Sequence, residues 1–251
     1  MTSAEPAEVT GALLSKMFTP TQARSKSNLL EAGVRPDQAE TVARCVEWAT
    51  TFPTRRVRKR GRTEAICPMV SPSLAAGGIK FSVADVADRE PRLETFDRIL
   101  TSAADCFESG ISLSDPRLRC LVVVIPGVRG ARLLEATHPG REIKNTLLSR
   151  GILVGEFFPS CPFATTFNPR LFALRSPAPM YVLRTFLESD WRFICRIPAW
   201  QRTYRARFGE PPASLRHLGG PLWRLKTGIG WRIDALLDRL DPTRNPEVTS
   251  D

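Results

Sequence analysis

Histidine is the scarcest reactive residue in this sequence of 251 residues, which contains only His138 and His217. Zinc ligation, haem ligation and general base catalysis all favour imidazole, so this scarcity narrows the possible chemistry. The sequence excludes multi-histidine metal centres such as a three-histidine zinc site or the H-E-x-x-H helix. A site that uses a single imidazole remains open.

Several other signatures are also missing. The sequence contains no Gly-x-Gly-x-x-Gly segment, no P-loop and no Gly-x-Ser-x-Gly elbow, which removes support for dinucleotide binding, phosphate-loop chemistry and serine hydrolysis. Its six cysteines form no Cys-x-x-Cys pair, so zinc ribbons and iron–sulfur clusters are excluded. We expect free, buried thiols rather than disulfides, since no secretory signal is recognised.

Long hydrophobic runs are absent as well. The longest strongly apolar run, from Cys120 to Pro126, is far too short to span a membrane. The N-terminal residues carry acids and no apolar leader segment. With 42% apolar residues the composition is that of an ordinary folded protein, and we expect a cytoplasmic one without membrane association.

The charge balance is strongly basic, at +10, with six lysines against thirty arginines, a ratio that suggests coding bias. One dense charge run stands out, because the nine residues from Thr54 to Arg62 include six cations. Such a run could hold phosphates, which makes nucleic acid a rival partner. The run has no interleaved aromatics and no recognisable DNA-binding motif accompanies it, so we favour a solvated linker or a contact with a ligand carboxylate.

The spacing of apolar residues predicts an α/β or α+β fold, with a central β-sheet covered by helices. A single domain is expected over 20–209, after a loose tail over 1–19 and before a helical appendage over 210–251. The predicted strands cover 79–86, 118–125 and 152–158. The predicted helices cover 20–32, 36–52, a segment from Pro91, 139–150, 180–195, 198–208 and 229–240.

A few residues have side chains that could bind a metal. If Pro139 opens a helix, His138 lies at its N-cap, where the helix dipole keeps the imidazole neutral and able to bind metal. The alternative for His138, and equally for His217, is a surface turn. Two Cys-Pro pairs, Cys67-Pro68 and Cys161-Pro162, could supply a thiolate to haem iron, or could be ordinary buried thiols.

Three segments together resemble a family of actinobacterial proteins and, in their layout, the small haem-dependent N-hydroxylases of the pre-guanitoxin type. They are Gly61-Arg62-Thr63-Glu64-Ala65-Ile66-Cys67-Pro68-Met69-Val70, Gly151-Ile152-Leu153-Val154-Gly155-Glu156-Phe157-Phe158-Pro159 and the stretch from Leu174-Arg175-Ser176-Pro177 to Phe208-Gly209. The resemblance covers roughly 60–209. It implies haem b, molecular oxygen and a guanidino substrate, L-arginine, with an electron donor that the sequence does not identify.

The resemblance also implies site residues. Many relatives carry histidine where this chain has Phe158, so an axial role at that position cannot be carried over to this chain. His138 is therefore the expected axial ligand of the haem iron, with His217 and Cys67 as fallbacks. Arg175 and Arg184 are expected to meet the haem propionates. Glu156 and Asp190 are expected to hold the substrate guanidinium. The alternative for the two arginines is a salt bridge or solvent exposure, and the alternative for the two carboxylates is an internal arginine partner.

Two other functions remain open at this point: a non-catalytic haem or ligand-binding protein, and a basic protein associated with nucleic acid. The sequence does not decide whether the chain forms a homo-oligomer.

Overall fold

The computed structural model describes residues 14–59, 62–86, 88–165, 168 and 170–216. The chain combines helices with a mixed β-sheet, so the predicted α/β class is confirmed. The described residues form two compact units. The first unit comprises 14–138 and 154–185, and the second comprises 139–153 and 186–216.

The elements are numbered in chain order. The strands are β1 (Arg56–Lys59), β2 (Arg62–Ala65), β3 (Ile79–Val83), β4 (Cys120–Val124), β5 (Ile152–Phe157) and β6 (Met180–Thr185). The helices are α1 (Pro20–Arg24), α2 (Lys26–Glu31), α3 (Pro36–Thr51), α4 (Val70–Ala75), α5 (Leu93–Gly110), α6 (Gly130–Ala136), α7 (Glu142–Ser149), α8 (Trp191–Ile194) and α9 (Pro198–Phe208).

Strand β4 lies inside the four-stranded sheet, whose order is β3-β4-β6-β5. It runs parallel to β3, with Ile79 opposite Cys120, and antiparallel to β6, with Arg184 opposite Cys120 and Met180 opposite Val124. The residues from Leu121 to Ile125 are at most 2% exposed. A continuous β-branched run is typical of a strand covered on both faces, and this prediction is confirmed.

The predicted helix over 180–195 is wrong. Residues 180–185 form strand β6, a 3-10 turn follows over Glu188–Asp190, and only Trp191–Ile194 is α-helical. A short apolar run fits the period of a helix as well as that of a strand. Here the side of β4 that does not pair with β3 supplies backbone hydrogen-bond partners for the extended form. Residues Tyr181 and Leu183 are thereby buried on one face of the sheet.

The part of the chain that the structure describes begins before the predicted first helix. Leu14 and Phe18 form antiparallel bridges to Ala84 and Phe81, and Phe18 is 1% exposed within the core. Residues 14–19 are therefore not part of a loose tail, while 1–13 lie outside the described residues. Thr19 caps α1 by accepting the Gln22 backbone N–H, and extended backbone at Ser25 divides the predicted helix over 20–32 into two.

The basic run also differs from the expected linker. Its residues form the antiparallel hairpin β1–β2, in which Arg56 pairs with Ala65 and Lys59 with Arg62. Alternation is weak in this stretch because charged residues occupy both faces, so the apolar pattern alone did not predict strands.

The second unit has its own apolar core. Leu148, Phe186, Trp191 and Tyr204 are at most 2% exposed, and the rings of Trp191 and Tyr204 meet edge to face at 5.0 Å. Helix α9 ends where predicted, at Gly209, whose φ of 76° lies in the left-handed region that favours glycine. The predicted helix over 229–240 lies outside the described residues.

We expect Gly130→Ala to destabilise the first unit. A Cβ at this position would overlap the Cβ and ring of Phe158, which is itself buried. Overpacking of this kind costs about 1–3 kcal/mol, so the thermal midpoint should fall by several degrees. The matched control is Ala131→Ser at the next, exposed position of α6, which should leave the midpoint unchanged. Equal midpoints for the two variants would contradict the packing described here.

Candidate functional site

The predicted site residues of the first unit gather around two different cysteines. Cys67 and Arg184 lie near Cys120, whereas Glu156 and Arg175 lie near Cys161. We call these the Cys120 group and the Cys161 group. The two arginines that were expected to share the haem propionates therefore belong to separate groups.

The Cys120 group is defined by electrostatics and strand register. Burial raises the pKa of the Cys120 thiol to about 12, while the Arg184 guanidinium lowers it and the Cys67 thiol raises it. Arg184 reaches this position because it is the residue opposite Cys120 in the β4–β6 register. Cys67, which is partly buried, arrives from the turn after β2, where its N–H donates to the Pro53 carbonyl at 2.8 Å.

An aromatic surface lies on the same face of the sheet. Trp48 stacks on Phe52 at 5.2 Å between ring centroids and meets the edge of Phe157 at 5.8 Å. Trp48, Phe157 and Val182 pack against the core of this face while remaining partly exposed. Side chains alternate along a strand, so Val182 and Arg184 point to the same side of β6. We call Trp48, Phe52, Phe157 and Val182, together with the Cys120 group, the aromatic face.

The Cys161 group is more enclosed. Cys161 is fully buried, and burial raises the pKa of its thiol to about 11. The Phe163 backbone N–H and Arg175 lower this pKa, and the Glu156 carboxylate raises it, each by less than burial does. The Arg175 Nε–H donates to the Cys161 carbonyl at 3.0 Å, and its guanidinium lies 3.8 Å from the centroid of the Phe172 ring. These contacts are those of a structural arginine that holds the loop between β5 and β6.

Strand alternation separates the two groups. Phe157 points to the face that carries Trp48, so the neighbouring Glu156 points to the opposite face of β5. Glu156 accordingly lies with Cys161 rather than with Cys67 and Arg184. The structure does not bring the expected substrate carboxylate and the expected propionate cation Arg184 to one side of the sheet.

His138 is not the N-cap of a helix, as the sequence predicted. It follows the end of α6, its N–H donates to the Glu135 carbonyl at 3.2 Å, and its side chain is exposed. Pro139 and Gly140 form a turn, and α7 begins only at Glu142, after Arg141 as N-cap. The helix dipole argument for a neutral imidazole therefore does not apply at this position. The other histidine, His217, lies outside the described residues.

Asp190 is also placed differently from the prediction of a carboxylate inside an apolar helix. It ends the 3-10 turn over Glu188–Asp190 in the second unit and is 2% exposed. One of its oxygens accepts the backbone N–H of Leu187 at 2.8 Å. This contact closes the turn, so the structure supports a local role for Asp190.

Three further features of the described residues bear on the site. An open surface pocket is lined by Asp97, Arg98, Thr101 and Ser102 and contains none of the predicted site residues. Within the described ranges, no cluster of three or more His, Cys, Asp or Glu side chains is arranged to hold a metal ion. Among the helices that the structure describes, none is both long and apolar enough to cross a membrane.

Comparison with known proteins gives one relationship. The chain belongs to a family described as a domain of unknown function, DUF6875, whose family model matches residues 42–217. No curated protein and no solved structure matches the chain. The match includes both residue groups and the aromatic face, so these features lie within the family domain.

Sequence reasoning missed Cys120, Trp48, Phe52 and Phe157 as members of a candidate site. A signal for part of it was available, because Phe157 alternates with Glu156 on a predicted strand and had to face the other side of the sheet. The placement of Cys67 near Cys120 had no local signal, because the two residues are 53 positions apart in the sequence.

We expect Cys67 to react with iodoacetamide at pH 8 at least ten times faster than Cys161 or Cys45. Cys67 is partly exposed, whereas the other two are buried with pKa values of about 11 and about 12. At a pKa of 11 only about 0.1% of a thiol is thiolate at pH 8, and the fraction grows as the pH rises towards 11. Peptide mass spectrometry after timed quenching measures the rates. Unfolding in guanidinium should equalise them, and equal rates in the folded protein would contradict the burial.

Proposed function

We propose that this chain is a haem-dependent monooxygenase that hydroxylates a guanidino nitrogen of L-arginine, as in biosynthesis of the D-cycloserine type. The resemblance of 60–209 to haem-dependent N-hydroxylases is the origin of this proposal. The observation that carries it is the aromatic face, where Cys67 and Arg184, both singled out from the family-like segments, lie around the same thiol.

The residues on the aromatic face fit the requirements of haem. The macrocycle is a flat apolar ring with two carboxylates, so it needs an apolar surface, an axial donor and a cation. Trp48, Phe52 and Phe157 supply partly exposed aromatic surface, Cys67 supplies a partly buried sulfur, and Arg184 supplies positive charge. The Cys161 group fits less well, because Cys161 is fully enclosed and its arginine is held in the loop.

Each residue then has a defined task. Cys67 would bind the iron as a thiolate, in place of His138, whose side chain is exposed. Arg184 would neutralise a propionate, with its Nη1 already fixed by donation to the Thr185 carbonyl at 3.1 Å. The aromatic side chains would exclude water from one side of the haem. Bound haem supplies the oxygen activation that no side chain can provide.

The substrate contact remains a prediction. A guanidinium needs an anion that pairs with it in two hydrogen bonds, and Glu156 was the expected partner. Its placement near Cys161 and Arg175 favours the alternative, an internal charge interaction. Asp190 is occupied by the Leu187 N–H. Arginine turnover is therefore supported by the resemblance alone, whereas haem binding is supported by the resemblance and by the residues of the aromatic face.

We expect Cys67→Ser to lose the haem Soret band when the purified protein is titrated with hemin, because hydroxyl is a poor iron ligand. His138→Ala is the matched test of the other ligand and should retain the band. The reduced wild-type protein with carbon monoxide should give the red-shifted Soret band of thiolate ligation. Loss of haem in His138→Ala with retention in Cys67→Ser would reverse the ligand assignment, and a colourless wild type would refute haem binding.

Arg184→Gln should weaken haem binding about tenfold, since one charge-assisted hydrogen bond to a propionate is lost. Arg175→Gln removes the same charge from the Cys161 group and should leave the affinity for haem unchanged. Hemin titration followed at the Soret maximum measures both, with far-ultraviolet circular dichroism to verify folding. A larger effect at Arg175 than at Arg184 would place the haem at the other group.

A further inference from the structure

We propose that the β1–β2 hairpin is the docking surface for an acidic one-electron carrier protein. The use of those electrons rests on the proposed function, but the docking itself does not. The inference comes from two features of the hairpin: its positive charge and its direct connection along the chain to Cys67.

The hairpin presents a dense positive surface. Arg55, Arg56, Arg58 and Arg62 are all exposed, and Glu64 is the only acid on the two strands. Arg56 and Arg58 share one side of β1 by strand alternation, while Arg62 lies on the other side of the ribbon opposite Lys59. Exposed arginines that lie within a Debye length of about 8 Å act together on an approaching anionic surface.

The hairpin is joined directly to the proposed iron ligand. Its ladder continues past β2, because the Ile66 N–H donates to the Arg55 carbonyl at 2.9 Å and the Cys67 N–H donates to the Pro53 carbonyl at 2.8 Å. Arg55 also places its guanidinium over the Phe52 ring of the aromatic face, 5.7 Å from the centroid. A protein held on these arginines is therefore held beside Cys67.

An acidic protein fits this surface better than nucleic acid does. Single strands bind through bases stacked on aromatic side chains between the cations, and the described residues of β1 and β2 include no aromatic. A carrier protein needs only complementary charge and close approach, which speed association and leave the complex short-lived. The exposed arginines of the hairpin supply the charge, and the continuation of β2 to Cys67 supplies the close approach.

The electron balance requires a reductant that supplies two electrons, and such a carrier provides them. Hydroxylation converts the substrate N–H to N–OH with one atom of dioxygen, and the second atom leaves as water after taking up two protons and two electrons. Each reduced carrier gives up one electron, so two carriers are oxidised for each N–OH bond formed. The proposed partner class is an acidic iron–sulfur or flavin protein.

The test compares the hairpin with an equal loss of charge elsewhere. The hairpin variant carries Arg56, Arg58 and Arg62 changed to Gln, and the control variant carries Arg89, Arg92 and Arg98 changed to Gln, all of which are exposed. Arg55 is left in place because it contacts Phe52 of the aromatic face. A reduced, strongly acidic [2Fe–2S] ferredoxin is the probe. Stopped-flow absorbance gives the rate constant of haem reduction, and calorimetry at low salt gives the affinity of the ferredoxin with or without haem.

We expect the hairpin variant to lose about tenfold in both quantities at low ionic strength and to lose the salt dependence of the wild type. The control variant should stay within about twofold, and photoreduced deazaflavin, a small reductant, should reduce the haem of both variants equally. Equal losses in the two variants would overturn the proposal, as would arginine-dependent binding of single-stranded DNA that is tighter than ferredoxin binding. If the wild type binds no haem, the proposed function fails, and the ferredoxin affinities still decide the docking.

Discussion

The antiparallel pairing of β6 with β4 is the constraint on which the candidate site depends. It places Leu121 opposite Leu183 and Val123 opposite Tyr181, all of which are buried, and it fixes Arg184 opposite Cys120. Without this register the guanidinium would have no reason to lie beside a thiol, because the two residues are 64 positions apart in the sequence. A shift of one residue would turn Arg184 to the other face of the sheet.

The same sheet separates the residues that sequence reasoning had grouped into one site. The Cys120 group and the Cys161 group each contain one arginine. Of the two groups, the Cys120 group is the one that adjoins partly exposed aromatic rings. Cys161 and Arg175 then account for how the long loop between β5 and β6 is held, whereas Cys67 and Arg184 border a surface that could accept a flat ligand. The Cys161 group therefore has a structural role, and the Cys120 group borders the proposed haem site.

Much of the fold was predictable because its central strands are strongly patterned. The run before Ile125 and the helix ended by Gly209 each carry a local signal that tertiary contacts do not override. Strand β6 was mistaken for a helix because a short apolar run fits both periods and its partner strand is distant in sequence. The N-cap role of His138 failed for a local reason, since Pro139 occupies a turn three residues before α7.

The candidate site was less predictable than the fold. Arg184 and Cys67 came from the family-like segments, but their neighbours Trp48 and Phe157 are placed by helix packing and strand alternation, which no motif records. Arg175 lies in the loop between β5 and β6 near Cys161, whereas Arg184 lies on β6 near Cys120, and no local sequence signal indicates that the two arginines belong to different groups.

The most direct test of a haem held on the aromatic face is a crystal of the haem-loaded protein measured at the iron absorption edge. The account predicts one strong anomalous peak within bonding distance of the Cys67 sulfur, with ring density against Trp48 and Phe157. A peak bonded to His138 or to any residue outside this face, or crystals of hemin-incubated protein with no iron peak, would contradict it.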